Sequence, residues 1–308
     1  MRRRSIMKGA WATGAAVALP AALTACAVED EGGDAPDTSD VDFGLAEGEG
    51  EIVLGVIPGW DEGIVATELW NQALTSAGYT VTVQEFAEAG LLFEGLSSGD
   101  VTVFLDGWLP VTHATYLETY GDQLEQIGEW NSNAALTVAV PSYVDGVNSL
   151  AELNDNAELF GGEIIGIEPS AGLTEAVQTA TIPTYGITDL ELKTSSTATM
   201  LSELDSAIAA EKPIVVTLWQ PHWAYAKYDL KNLEDPEKSL GDVETINTLA
   251  TQGFSAQFPD LAEALGKFTL SDDQLADLEN IVFTDHEGDV PGGVAAWLAD
   301  NDFSSLIA

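Results

Sequence analysis

Beyond Arg4 the sequence contains no arginine, and lysine is nearly as scarce: six lysines follow the first ten residues, against 51 aspartates and glutamates in the whole chain. Without arginine there is no guanidinium fork to grip a carboxylate or phosphate. Any anionic group must instead be held by main-chain N–H groups or neutral donors. The formal net charge of −41 repels nucleic acid and anionic lipid, which excludes both as partners. We read this surface as adaptation to a saline or alkaline medium, where acidic surfaces stay hydrated. Cysteine occurs once, at Cys26, so no internal disulfide can hold the fold. A core must do so, and 45% hydrophobic residues over 308 suffice for one large domain or two lobes. The three histidines, His113, His222 and His286, lack the short spacing of a zinc set, so no metal and no other cofactor is expected. His222, between Pro221 and Trp223, reads as structural, and His286 as solvated. There is no G-x-S-x-G elbow and no P-loop.

The amino terminus reads as a leader. Arg2, Arg3, Arg4 and Lys8 precede an apolar stretch from Ala10 to Leu23, too short to span a bilayer as a stable helix. It ends in Leu23-Thr24-Ala25-Cys26, the pattern of a bacterial lipobox, in which the cysteine takes a lipid and becomes the mature N-terminus. The run from Arg3 to Lys8 resembles a twin-arginine export signal. Removing residues 1–25 strips four positive charges and no negative one, taking the formal charge from −41 to −45. Residues 26–50 are rich in Glu, Asp, Gly and Ser/Thr and read as a disordered acidic tether.

From Glu51 to about Asn301, short β-rich runs alternate with helical segments, the mark of α/β layering. Strands are expected at Ile52–Ile57, Thr80–Phe86, Val101–Leu105, Leu136–Val140, Glu163–Ile167, Glu191–Thr194 and Pro213–Leu218. Asp61 is expected to cap a helix running to about Ala77, ended by Gly78. Further helices are expected near 91–97, 114–120, 172–180 and 197–210, and the chain from about Pro259 reads as helical. Two α/β blocks emerge, and such chains commonly fold as two lobes hinged around a ligand. Lobe 1 is expected from residues 51–140 plus about 246–308, and lobe 2 from about 141–245.

Open α/β sheets bind ligands beyond the carboxyl ends of their strands. Trp60, Trp108 and Trp219 each follow a strong expected strand, whereas Trp70, Trp130, Trp223 and Trp297 read as core aromatics. Clustered tryptophans in a cleft take sugars by stacking or organic cations by their electron-rich faces. The stretch Gly166-Ile167-Glu168-Pro169-Ser170-Ala171-Gly172 also follows a strand and leads into a helix. Free N–H groups at such a turn and helix start suit an anionic group, and His113 can add one side-chain hydrogen bond. An aromatic cage opposite main-chain donors fits a small zwitterion without N–H groups, such as glycine betaine. At roughly 1 M salt the Debye length is about 3 Å, so exposed carboxylates hold organic cations weakly. A dry aromatic box selects methylated ammonium, because inorganic ions keep their water.

The chain resembles the glycine betaine/proline betaine-binding proteins of ABC transporters over about Glu51–Asn301. The resemblance is carried by Gly107-Trp108-Leu109-Pro110-Val111-Thr112-His113 and by Val216-Thr217-Leu218-Trp219-Gln220-Pro221-His222-Trp223. Gly166-Ile167-Glu168-Pro169 and Val140-Pro141-Ser142-Tyr143 add to it. It implies a two-lobed periplasmic-binding-protein-like α/β fold of type II with the ligand between the lobes. Cage walls are implied at Trp60, Trp108 and Trp219, and carboxylate donors at the Gly166 and Ile167 N–H groups with His113 assisting. Glu168 and Ser170 depart from the Asp and Gly more usual in that loop. The implied role is capture of a betaine for an ABC permease and its ATPase by a monomeric non-enzyme, lipid-anchored through Cys26 on the outer face of the membrane. A choline or carnitine receptor of the same fold is the nearest alternative. A sugar receptor comes next, and then a glycosidase using Asp61, Glu62 or Asp106 beside the tryptophans.

Overall fold

The structure, a computed structural model, describes residues 41–308. The leader, Cys26 and most of the expected tether lie outside the described residues. The tether expectation ran to residue 50, yet Phe43 is buried and meets Phe303 edge-on at 5.3 Å, so the chain joins the core from about there.

Nine strands form one sheet: β1 (Glu51–Val56), β2 (Thr80–Glu85), β3 (Val103–Leu109), β4 (Leu124–Pro141), β5 (Glu163–Ile165), β6 (Glu191–Lys193), β7 (Val216–Gln220), β8 (Leu230–Asn232) and β9 (Glu244–Thr251). Their order is β2-β1-β3-β9-β4-β7-β5-β6, with β8 beside β4. β1 runs parallel to β2 and β3, and β5 runs parallel to β6 and β7. The antiparallel strands β9 and β4 join these two parallel groups. β4 serves both: Leu124–Ala134 pairs with β9, and Ala135–Ala139 with β7. The sheet thus has a first half around β1 and a second around β5, and β4 changes partner between Ala134 and Ala135.

Helices cover the parallel groups as right-handed crossovers require. Helix α1 (Asp61–Ser76) follows β1, with Asp61 and Glu62 in its first turn and Gly78 at φ +98° beyond its end. Trp60, not Asp61, occupies the cap position, and no side chain caps the helix. Helix α2 (Ala89–Ser98) follows β2, α3 (Ala114–Tyr120) follows β3, and α4 (Gly172–Ala176) follows β5, continuing through a wide turn to Tyr185. Helices at Thr197–Ala209, Pro259–Lys267, Asp272–Asn280 and Val290–Asp300 complete the layers.

Two differences from the sequence expectations bear on the site. The expected strands ended at Leu105 and Leu218, but β3 and β7 run on to Leu109 and Gln220, so Trp108 and Trp219 lie within strands. The cause is pairing: β9, with Trp108 opposite Ile246, and β4, with Leu136 opposite Trp219, extend past those points. Among the described residues no helix is long and apolar enough to cross a membrane.

Candidate functional site

Trp60 leaves β1 and opens α1, Trp108 sits near the end of β3, and Trp219 near the end of β7. All three line one cavity between the two halves of the sheet. Trp60 and Trp108 come from the first half and Trp219 from the second. A buried indole needs an acceptor for its N–H, and each of these finds a carboxylate. Trp60 Nε1 donates to Glu168 Oε2 at 3.4 Å, Trp108 Nε1 to Asp106 Oδ1 at 2.8 Å, and Trp219 Nε1 to Glu62 Oε2 at 2.9 Å. The Trp60 and Trp219 bonds cross from one half to the other. Glu168 is held in turn by the Thr197 N–H at 2.7 Å and the Thr197 hydroxyl at 2.9 Å.

Asp61, Glu62, Asp106 and Glu279 are buried around these indoles, and burial pushes these four toward the neutral form. Asp61 rises to about 7 and Glu62 to about 8, in both cases chiefly by burial. Asp106 and Glu279 are raised well above the usual carboxylate range by burial and by the nearby Glu62. Glu62 also forms part of the cavity wall.

The same cavity carries donors. His113 is buried, and its Nδ1 accepts the Trp108 N–H at 2.9 Å. Burial lowers its pKa to about 3, so the ring is neutral and its one proton sits on Nε2. That Nε2 has no partner among the described residues, and His113 lines the cavity. It stacks on Trp60 at 5.6 Å and 15°. Ile167, Gly172 and Leu173 line the cavity too, and their N–H groups make no hydrogen bond within the described residues. Gly172 is fixed by contact: a Cβ there would lie 2.0 Å from the Thr112 carbonyl oxygen, across the cavity mouth.

One sequence expectation is corrected here. Gly166 was expected to offer its N–H to a carboxylate, but that N–H donates to the Lys193 carbonyl at 2.8 Å, beside the β5–β6 pairing. Gly166 does not line the cavity. Gly172 and Leu173 do line it, at a helix start that leaves donors unpaired. Trp70, Trp130 and Trp297 are core residues as expected; Trp223 is half-buried against the core and bonded through Nε1 to Asp61. Among the described residues no three His, Cys, Asp or Glu side chains are grouped to hold a metal ion.

Three indoles thus share one cavity with unpaired main-chain donors. The family described as the substrate-binding domain of the ABC-type glycine betaine transport system matches residues 50–300. The chain belongs to that family. A glycine betaine/carnitine transport binding protein, GbuC, of Listeria monocytogenes is 35% identical over 150 residues, 48% of this chain and 49% of that protein. The match thus spans about half the length of this curated relative. The glycine betaine, L-proline ABC transporter binding protein ProX of Borrelia burgdorferi superposes with a TM-score of 0.77 at 26% identity, over 84% of this chain and 97% of that one. Lactococcal OpuAC, in its closed conformation with glycine betaine, gives 0.75 at 29%, over 84% and 99%. The fold is therefore the periplasmic-binding-protein-like α/β fold of these transport proteins. Within the family, the acidic partners of the three indoles are the features here that sequence reasoning did not assign. Nothing marks them among 51 acidic residues, although Asp61, Glu62 and Asp106 stand beside tryptophans in the chain.

Proposed function

We propose that this chain captures a compact quaternary-ammonium osmolyte, glycine betaine first, between the halves of its sheet and delivers it to an ABC permease and its ATPase. One observation carries the reading: Trp60, Trp108 and Trp219 line one cavity together with unpaired donors. The trimethylammonium group sits among the indole faces, each contact contributing about 0.5–2 kcal/mol. The carboxylate lies against the N–H groups of Ile167, Gly172 and Leu173 and against Nε2 of His113, with Gly166 supporting the loop. Together these suit micromolar affinity, about 8 kcal/mol. Residues 51 to about 134, with the chain after β9 begins, form one lobe and the intervening residues the other. The ligand shifts their equilibrium toward the closed form that the permease recognises. The protein acts without catalysis, as a monomer held by lipid at Cys26 on the outer face of the membrane.

Glu62 in the cavity wall favours a second ligand, choline, which carries the same cation and no carboxylate. Calorimetric titration of purified protein with glycine betaine, choline and a sugar separates these readings. Tight betaine binding with weaker choline binding supports the proposal, and equal affinities move the assignment to choline. Silence toward every betaine and choline, with a response to the sugar, overturns it.

A further inference from the structure

Trp223 lies outside the cavity, yet it spans the same seam as the cage. It follows β7 in the second half of the sheet, and its Nε1 donates to the Oδ2 of Asp61, 162 residues away at the start of α1 in the first half. Its ring stacks on Phe283, also from the first half, at 6.3 Å and 28°. His222, next to it, turns its ring edge to Trp219 at 4.7 Å and brings Nε2 to 3.7 Å from the same Asp61 oxygen. On both sides of the seam the contact is tied to the cage: Asp61 directly follows Trp60, and the His222 ring lies between Trp219 and Trp223.

We propose that Trp223 is a closure latch, a positioning residue that seats the second lobe on the first through Asp61 and Phe283 and so holds the cage shut without touching the ligand. The inference rests on the reading that the ligand is captured between the lobes. Because latch and cage residues are chain neighbours, one lobe movement makes both sets of contacts. Losing the latch therefore acts on how long the closed form lasts and not on how the ligand first meets the open one.

Trp223→Phe keeps an aromatic ring able to pack on Phe283 and removes the N–H together with part of the indole. Stopped-flow fluorescence with glycine betaine should show dissociation faster by about tenfold, the worth of one buried hydrogen bond to a carboxylate, with association changed by less than about twofold. Without ligand, small-angle scattering should show a larger radius of gyration than the wild type. Asp61→Ala should reproduce both effects, and the double variant should add nothing further. Wild-type dissociation in Trp223→Phe, a loss confined to association, or additive effects in the double variant overturn the latch. Wild-type protein that binds no betaine overturns the ligand assignment instead, and the scattering comparison still judges the latch.

Discussion

Gly172→Ala asks whether the two lobes must approach as closely as the structure shows. The backbone at Gly172 is ordinary helix start, so alanine is conformationally acceptable; only the contact objects. The new Cβ would lie 2.0 Å from the Thr112 carbonyl oxygen and 2.6 Å from Thr112 Cγ2. Carbon atoms in packed proteins rarely come closer than about 3.5 Å, so the lobes must stand more than about 1 Å further apart. The blocking atom belongs to the main chain and no rotamer change relieves it. Overpacking of this kind costs about 1–3 kcal/mol. Here the cost falls on the closed form alone, since opening the lobes removes the clash. Affinity for glycine betaine should drop by about 10- to 100-fold, while thermal unfolding without ligand stays near the wild type. Gly121→Ala, with nothing within 4 Å of its Cβ, is the control and should bind normally. Isothermal calorimetry with a parallel thermal melt checks both. Unchanged affinity, or a loss matched by equal destabilisation of the ligand-free protein, would refute the reasoning.

Trp108→Ala and Trp219→Ala each remove a cage wall, and intrinsic fluorescence titration should show affinity lowered at least about tenfold with the circular dichroism spectrum retained. His113→Ala should do less, about tenfold at most, because main-chain donors remain; since burial holds His113 neutral down to about 3, affinity should show no inflection near the ordinary histidine value of 6.5. The buried acids make closure of the ligand-free protein depend on pH. Asp61 and Glu62 are raised to about 7 and about 8 in the closed form, so closing takes up protons that opening releases. Their contribution to closure is full below the ordinary carboxylate values and is lost as pH climbs through the raised ones. Between pH 6.5 and 8 Glu62 alone should cost the closed form on the order of 2 kcal/mol, so small-angle scattering without ligand should show a more open protein at pH 8, and Glu62→Gln should flatten that change.

The convergence of Trp60, Trp108 and Trp219 on one cavity was legible because they stand at the ends of apolar β-rich runs, and strand ends are where such sheets open clefts. The loop after β5 was legible as a cavity-lining stretch but not residue by residue. The sequence does not say that the short strand β6 reaches Gly166 and takes its N–H, leaving the donors to Gly172 and Leu173. The long strand β4 went unread before Leu136 because register shifts between Gln126 and Ala134 break the alternation of apolar and polar residues. β9 was missed as well, since Glu244-Thr245 and Asn247-Thr248 interrupt its apolar residues; Glu244 is nevertheless buried, accepting the Val111 and Thr112 N–H groups at 2.6 and 2.9 Å. Trp223 looked like its neighbours in the core because an interlobe contact leaves no periodic signature.

The acids behind the indoles tie the surface chemistry of this chain to its selectivity. A surface this negative attracts cations everywhere, so attraction cannot distinguish a betaine from sodium or potassium. Water does: an inorganic ion loses strongly held hydration on entering an apolar box, and a trimethylammonium group does not. The box needs indoles, buried indoles need acceptors, and in a chain with 51 acidic side chains and almost no basic ones the acceptors are carboxylates. Closing the empty lobes therefore buries Glu62, Asp106 and Asp61 together with no positive charge among them, which is why all three are driven toward protonation. On the proposed function, a quaternary ammonium ion in the box supplies that charge. Closure without ligand is thus penalised and closure around ligand is not, a differential of the kind a receptor needs if its permease is to respond only to loaded protein.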